Sequence, residues 1–358
     1  MLWLVSLPVW VLIFHVLFPT GTKNKRNTRL FMIFCSLALI FVLGLRSRYT
    51  GTADTFQYTL VFSSAAEYNN LHEYLLQVKA FDGFFLLSEG GFSVYTWLAA
   101  QIFPEAQWFL LLTAVVTVFC TARFISKNSE DPLISWITFI CLGSMTFAMN
   151  GMRQALAMSI CLLSYRYARE KKFIRFLLVV LLATLFHKSA MIFLLVYFLR
   201  NLRLNWQSLG LLVAIVAILL VSANSFASLY DSLTGEDYAA GESFESGGII
   251  VIAIYAIAIM GMLLFSKRLK EPQVFFPFAL ITIGFSLYLI RFLSTQMYER
   301  ISYYFAYFLM LAFPLTFADM EKKTRSIVRI CFVIASIMLF AYRIGKGAFA
   351  DFAMFWQE

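Results

Sequence analysis

Six basic residues, Arg46, Arg48, Arg153, Lys188, Arg291 and Arg300, stand within a few positions of the ends of apolar runs. All six fall on the side of those runs that carries fewer positive charges. A charge partly within lipid costs about 2.5–3.5 kcal/mol on insertion scales, and such residues usually face a bundle interior and serve a site. An arginine fork pairs with phosphate oxygens two bonds at a time, so a ring of arginines at one depth suits a doubly charged diphosphate. Taken singly, each arginine is equally explained by a neighbouring acid or a lipid headgroup. Asp54, His187 and Glu299 stand at the same depth and are of the types that move protons. Gln154, beside Arg153, is a candidate sugar or phosphate contact.

These residues need a scaffold, and composition says which kind. Of 358 residues 61% are hydrophobic and only 14% charged, and the mean hydropathy is +0.78. A soluble domain is roughly 45–50% apolar and about 25% charged. The apolar residues come in runs broken by short charged clusters, as when each run crosses a hydrocarbon layer about 30 Å thick. Backbone groups in lipid must be satisfied within a helix or a closed barrel, and these runs are too long and uniform for alternating barrel strands. The fold class expected is therefore all-α, one polytopic integral membrane helical bundle covering residues 1–358.

About twelve transmembrane helices are expected, at 2–19, 30–45, 106–122, 132–149, 152–168, 173–186, 189–199, 208–222, 248–266, 273–291, 301–318 and 329–344. The first reads as a span and not a signal peptide, because no basic region precedes it and no small-residue cleavage site follows. Residues 173–186 and 189–199 are short enough to form instead a re-entrant hairpin that carries His187, with the same parity. Most Lys and Arg residues lie in loops at 23–29, 123–127, 166–175, 200–203, 267–270 and 321–329. Placing that set in the cytoplasm satisfies the positive-inside rule and puts both termini outside. It leaves Arg46, Arg48, Lys79, Arg153, Lys188, Arg291, Arg300, Arg343 and Lys346 on or near the outer face.

Two outer loops are large. The first, 46–105, ends in a stretch where Phe92, Tyr95, Leu98, Ala99 and Ile102 recur at helical spacing, the pattern of an interfacial helix. The second, 223–247, carries five acids and no base, which suits either a solvated lid or a plain connection. Tyr58, Tyr303 and other aromatics crowd this face, as a sugar-handling surface or an interfacial aromatic belt would both require. The five cysteines lie within apolar runs, and His15, His72 and His187 are far apart, so neither a disulfide frame nor a metal site is expected.

Five segments in order carry a family resemblance: LRSRYTGTADTFQYTLVF (45–62), SEGGFSVYTWL (88–98), NGMRQALAMSI (150–160), FHKSAMIFL (186–194) and YERISYYF (298–305). Together they resemble EpsG-like polymerases of bacterial surface polysaccharides, the group that includes many O-antigen polymerases called Wzy. The resemblance covers roughly residues 40–310, with one departure, TGTAD where the family often has G-T-D. It implies a metal-independent, cofactor-free glycosyltransferase of the GT-C class in the bacterial inner membrane, with its active site facing the periplasm. Such an enzyme transfers a growing glycan from undecaprenyl pyrophosphate to the non-reducing end of a new lipid-linked repeat unit. The partners implied are that lipid-linked oligosaccharide, membrane lipid and a polysaccharide co-polymerase that regulates chain length; no nucleic acid is implied.

Under this expectation Arg48, Arg153, Arg291 and Arg300 hold the pyrophosphate leaving group and stabilise its growing charge. His187, Asp54 and Glu299 are candidate bases for the acceptor hydroxyl. Arg46, Gln154, Lys188, Tyr58 and Tyr303 are candidate substrate contacts. A flippase or transporter of lipid-linked oligosaccharides, or an O-antigen ligase, are the alternatives.

Overall fold

The computed structural model describes residues 1–21, 24–51, 53–79, 89–225, 228, 248–294 and 296–357, so most of the acidic segment expected at 223–247 lies outside the described residues. The first third of the chain forms α1 (Leu2–Leu17), α2 (Lys25–Gly44), α3 (Ala53–Ala66), α4 (Leu71–Gln77), α5 (Gly90–Ile102) and α6 (Ala106–Asn128). The middle forms α7 (Pro132–Cys141), α8 (Ser144–Asn150), α9 (Met152–Arg169), α10 (Phe173–Phe186), a 3-10 turn (Lys188–Phe193), α11 (Leu194–Leu199) and α12 (Trp206–Val221). The last third forms α13 (Gly248–Phe265), α14 (Pro272–Ile290), α15 (Met297–Ala306), α16 (Leu309–Ala318) and α17 (Lys322–Lys346). Among the described residues there is no strand, only an isolated antiparallel bridge between Arg46 and Met354.

Five helices, α2, α6, α13, α14 and α17, are long and apolar enough to cross a membrane. Two bent pairs, α7 with α8 (48°) and α15 with α16 (41°), bring the count to seven if each is one span. This is a multi-pass membrane protein. Among the described residues, length and hydropathy support seven spans at most, fewer than the twelve expected. The helices α1, α10 and α12 have only 14 to 16 residues. In α9, three arginines, Arg153, Arg166 and Arg169, fall within its eighteen residues.

Burial sorts the spans into centre and rim. In α14, 72% of the span is buried against neighbours, but only 28% in α13 and 22% in α17. The rim helices carry exposed apolar side chains such as Ile257, Leu264, Ile334 and Met338, the surface lipid would cover. The α9 helix is central, packing against α6 and α10.

The bend between α7 and α8 has a local cause. Between α7 and α8 the chain turns at Gly143, whose φ of +113° is the left-handed conformation that glycine adopts without strain. In α16, Pro314 has no amide proton for the carbonyl of Met310, one turn earlier. The Ser135 hydroxyl of α7 donates to that carbonyl at 2.6 Å, closing the gap inside an apolar core.

Charges collect at two ends of the bundle. At one, Arg268 bridges Glu130 (2.7 Å) and Asp319 (2.5 Å), and Arg329 pairs with Asp131 (2.8 Å). At the other, the chain after α2 meets the C-terminal segment: the Ser47 amide donates to Ala353 O (2.9 Å) and the Phe355 amide to Leu45 O (3.0 Å). The candidate residues gather at this second end.

Candidate functional site

A buried carboxylate organises the site. Glu89 immediately precedes α5, has φ of +56°, and is 6% exposed. Its Oε2 accepts from Arg153 Nη1 at 2.6 Å, and its Oε1 accepts from the Lys188 amide at 3.3 Å. The same Oε1 lies 3.7 Å from His187 Nδ1. Three segments far apart in sequence thus meet at one group.

Packing explains the meeting. A Cβ on Gly91 would lie 2.5 Å from Leu185 Cβ and 3.0 Å from the Leu185 carbonyl, so only a glycine lets the start of α5 lie against the end of α10. Helix α10 stops at Phe186, and His187 caps the following 3-10 turn by accepting from the Ser189 amide at Nδ1 (3.3 Å). That acceptance leaves the neutral ring's proton on Nε2. The Ser189 hydroxyl also lies 2.8 Å from Nδ1 and 3.0 Å from the Tyr304 hydroxyl, which ties the imidazole to α15.

Arg153 stands in the first turn of α9, a helix start with no side-chain cap and no acid in its first turn. A cation there opposes the helix dipole, whose positive end and free amides favour an anion. Glu89 offsets this from outside the helix, and the Arg153 side chain remains 37% exposed. Tyr58 bonds to Arg153 as well; burial raises the phenol above its ordinary value and Arg153 partly offsets the rise. Next to Arg153, Gln154 donates to the Arg300 carbonyl at 2.6 Å.

A second charged group flanks the first. Arg291, at the end of α14, pairs with Glu299 and donates to the Tyr288 hydroxyl at 3.1 Å. The Tyr303 hydroxyl donates to the other oxygen of Glu299. Helix α15 separates the two groups, because Glu299 and Tyr303 form one i, i+4 stripe while Arg300 and Tyr304 form the adjacent one.

The remaining candidates are placed differently. Arg46 is 2% exposed and donates to the backbone carbonyls of Leu43 and Met149, near the C-terminal ends of α2 and α8. Burial pushes its guanidinium down to about 10, and a phosphate has no exposed face of Arg46 to meet. Arg48 is exposed, 5.1 Å over the Tyr49 ring, which stacks on Phe56 (5.5 Å). Asp54 and Arg300 are exposed, and Lys188 is buried at the start of the 3-10 turn. The six basic residues thus do not form a single ring.

Glu89, Ser189 and Tyr288 were not singled out by residue type and spacing. For Glu89 the available signal was an acid directly before two glycines at a helix start. Among the described residues no three His, Cys, Asp or Glu side chains converge as a metal ion would require.

The fold and site define a multi-pass, all-α membrane protein with a charged centre at one end of its bundle. The EpsG family model matches residues 29–355, and the chain belongs to that family, which is linked to exopolysaccharide synthesis. No curated protein and no solved structure matches it.

Proposed function

We propose that the protein is a surface-polysaccharide polymerase, a glycosyltransferase that moves a glycan from undecaprenyl diphosphate onto a new lipid-linked repeat unit. One observation carries this reading: Glu89, Arg153 and His187 converge at the start of α9, at one end of a membrane bundle. The donor's diphosphate binds at Arg153 beside the positive end of α9, with Arg300 and Lys188 nearby. The acceptor hydroxyl oxygen attacks the donor's anomeric carbon, the new glycosidic bond forms, and the bond from that carbon to the diphosphate oxygen breaks. Undecaprenyl diphosphate leaves with the electron pair, and the hydroxyl's proton passes to Glu89.

The base is Glu89 and not His187, because the lone pair on Nδ1 is taken by the Ser189 amide. His187 instead offers its Nε2 proton as a hydrogen-bond donor. An arriving diphosphate competes with Glu89 for Arg153, which frees Oε2 and raises its basicity just when a base is needed. Tyr49 stacked on Phe56 supplies an exposed aromatic platform suited to a sugar ring. In this reading the apolar segments cross, or 173–186 and 189–199 form a re-entrant hairpin, the fold is GT-C-like, the site end and both termini face the periplasm, and a polysaccharide co-polymerase sets chain length.

The test is purified protein given an undecaprenyl-diphosphate-linked repeat unit. A product ladder that Arg153→Gln abolishes is expected. Unchanged substrate that crosses the bilayer of reconstituted vesicles would replace the polymerase with a transporter.

A further inference from the structure

Arg343, near the end of α17, belongs to neither charged group by sequence, yet it reaches the second. Its guanidinium lies over Gly143, where an added Cβ would stand 3.1 Å from Nη1. It is within electrostatic reach of the Tyr288 and Tyr303 hydroxyls, the same two that Arg291 and Glu299 engage. The left-handed turn at Gly143, which bends α7 from α8, thus also makes room for a guanidinium.

Among the described residues the charges here do not balance. From α14 comes Arg291, from α15 Glu299, from α17 Arg343, and Tyr288 and Tyr303 are neutral phenols, so among the described residues two guanidinium groups face one carboxylate. Both oxygens of that carboxylate are engaged, by Arg291 and by Tyr303. Among the described residues the Arg343 guanidinium makes no hydrogen bond or ion pair, although the residue is half-buried at the end of a candidate span. An intramembrane cation without an acid is costly, and an anionic ligand is the group that would compensate it.

A polymerase that joins two lipid-linked glycans must hold two diphosphates at once. In the reaction proposed above the donor's binds at Arg153. We propose that Arg291 and Arg343 form a second site, which takes the diphosphate of the lipid-linked acceptor, with Glu299 holding Arg291 in place until it arrives. The proposal rests on the polymerase reading, and α15 is the wall between the two sites.

The experiment is equilibrium binding of undecaprenyl diphosphate, without sugar, to the protein in zwitterionic nanodiscs, with bound lipid counted by native mass spectrometry. Two equivalents per chain are expected for the wild type and one for Arg343→Gln. Arg343→Lys, which keeps the charge and loses the fork, should retain both with the second weakened about tenfold or more. A single equivalent in the wild type, or two with unchanged affinity in Arg343→Gln, overturns the second site. Displacement of one equivalent by phosphatidylglycerol at equal concentration assigns the site to bulk anionic lipid and also overturns it. Two equivalents falling to one in Arg343→Gln, with no product ladder from the wild type, would sink the polymerase and leave the anion site standing.

Discussion

Replacing Glu89 with glutamine separates chemistry from packing. Glu89 accepts on both oxygens, at 2.6 Å from Arg153 and 3.3 Å from the Lys188 amide, and a glutamine has one acceptor oxygen. One donor therefore loses its partner, which costs about 1–3 kcal/mol when the donor is buried. Because the Arg153 side chain is 37% exposed, water can replace its lost bond. The stability loss falls at the low end, about 1 kcal/mol. Removing a general base costs roughly 10²–10⁴ in rate, or about 3–5 kcal/mol of barrier. The two effects differ enough to be told apart. The assay is polymerisation rate on the purified variant, normalised to folded protein by thermal unfolding, with Glu89→Asp as a partial rescue. A Glu89→Gln enzyme within about threefold of the wild-type rate would refute the role of the carboxylate as base. A loss no larger than the loss of folded protein would reduce Glu89 to a structural partner of Arg153.

Gly91→Ala should disable the site without touching a charged residue, since its Cβ meets Leu185 at 2.5 Å and pushes Glu89 away from His187; a wild-type rate would show that α5 can shift freely. Ser135→Ala should leave the Met310 carbonyl unpaired and lower stability by about 1–3 kcal/mol in denaturant titrations, while Ser129→Ala, whose hydroxyl contacts Ser135 on the other side, should cost less. At the opposite end, burial pushes the Asp319 carboxyl up, but bonds from Ser266 and Arg268 outweigh it, so its pKa lies below the ordinary 3.8. A carboxyl lowered in the folded state adds stability above its unfolded pKa and loses it as pH falls through the folded one. Asp319→Asn should therefore melt earlier than the wild type at neutral pH, the gap closing in acid below about pH 4; a gap independent of pH would contradict the ion pair.

Much of this arrangement can be read along the chain. Apolar runs bounded by charges predict most helices within a few residues, as at 30–45 for α2 and 152–168 for α9. The stripe from Phe92 to Ile102 predicts α5, although its face is divided, with Phe92 and Ala99 buried and Leu98 and Ile102 exposed. The single ring of arginines did not form, because burial decides what a guanidinium does. Arg46 and Arg48 are two residues apart, yet one is consumed by backbone carbonyls and the other lies over an exposed ring.

By itself the sequence determined most of the apolar helices and which of their ends carry charge, because hydrophobic length and local turn residues act over a few neighbours; α3 and α4, inside the outer loop expected at 46–105, were not among them. Only the tertiary structure decided which charges share a partner. Glu89 finds Arg153 across 64 residues, and Lys188 across 99. The close approach at Gly91 and the two stripes of α15 create those meetings, and an ion pair between helices depends on packing that no local pattern encodes.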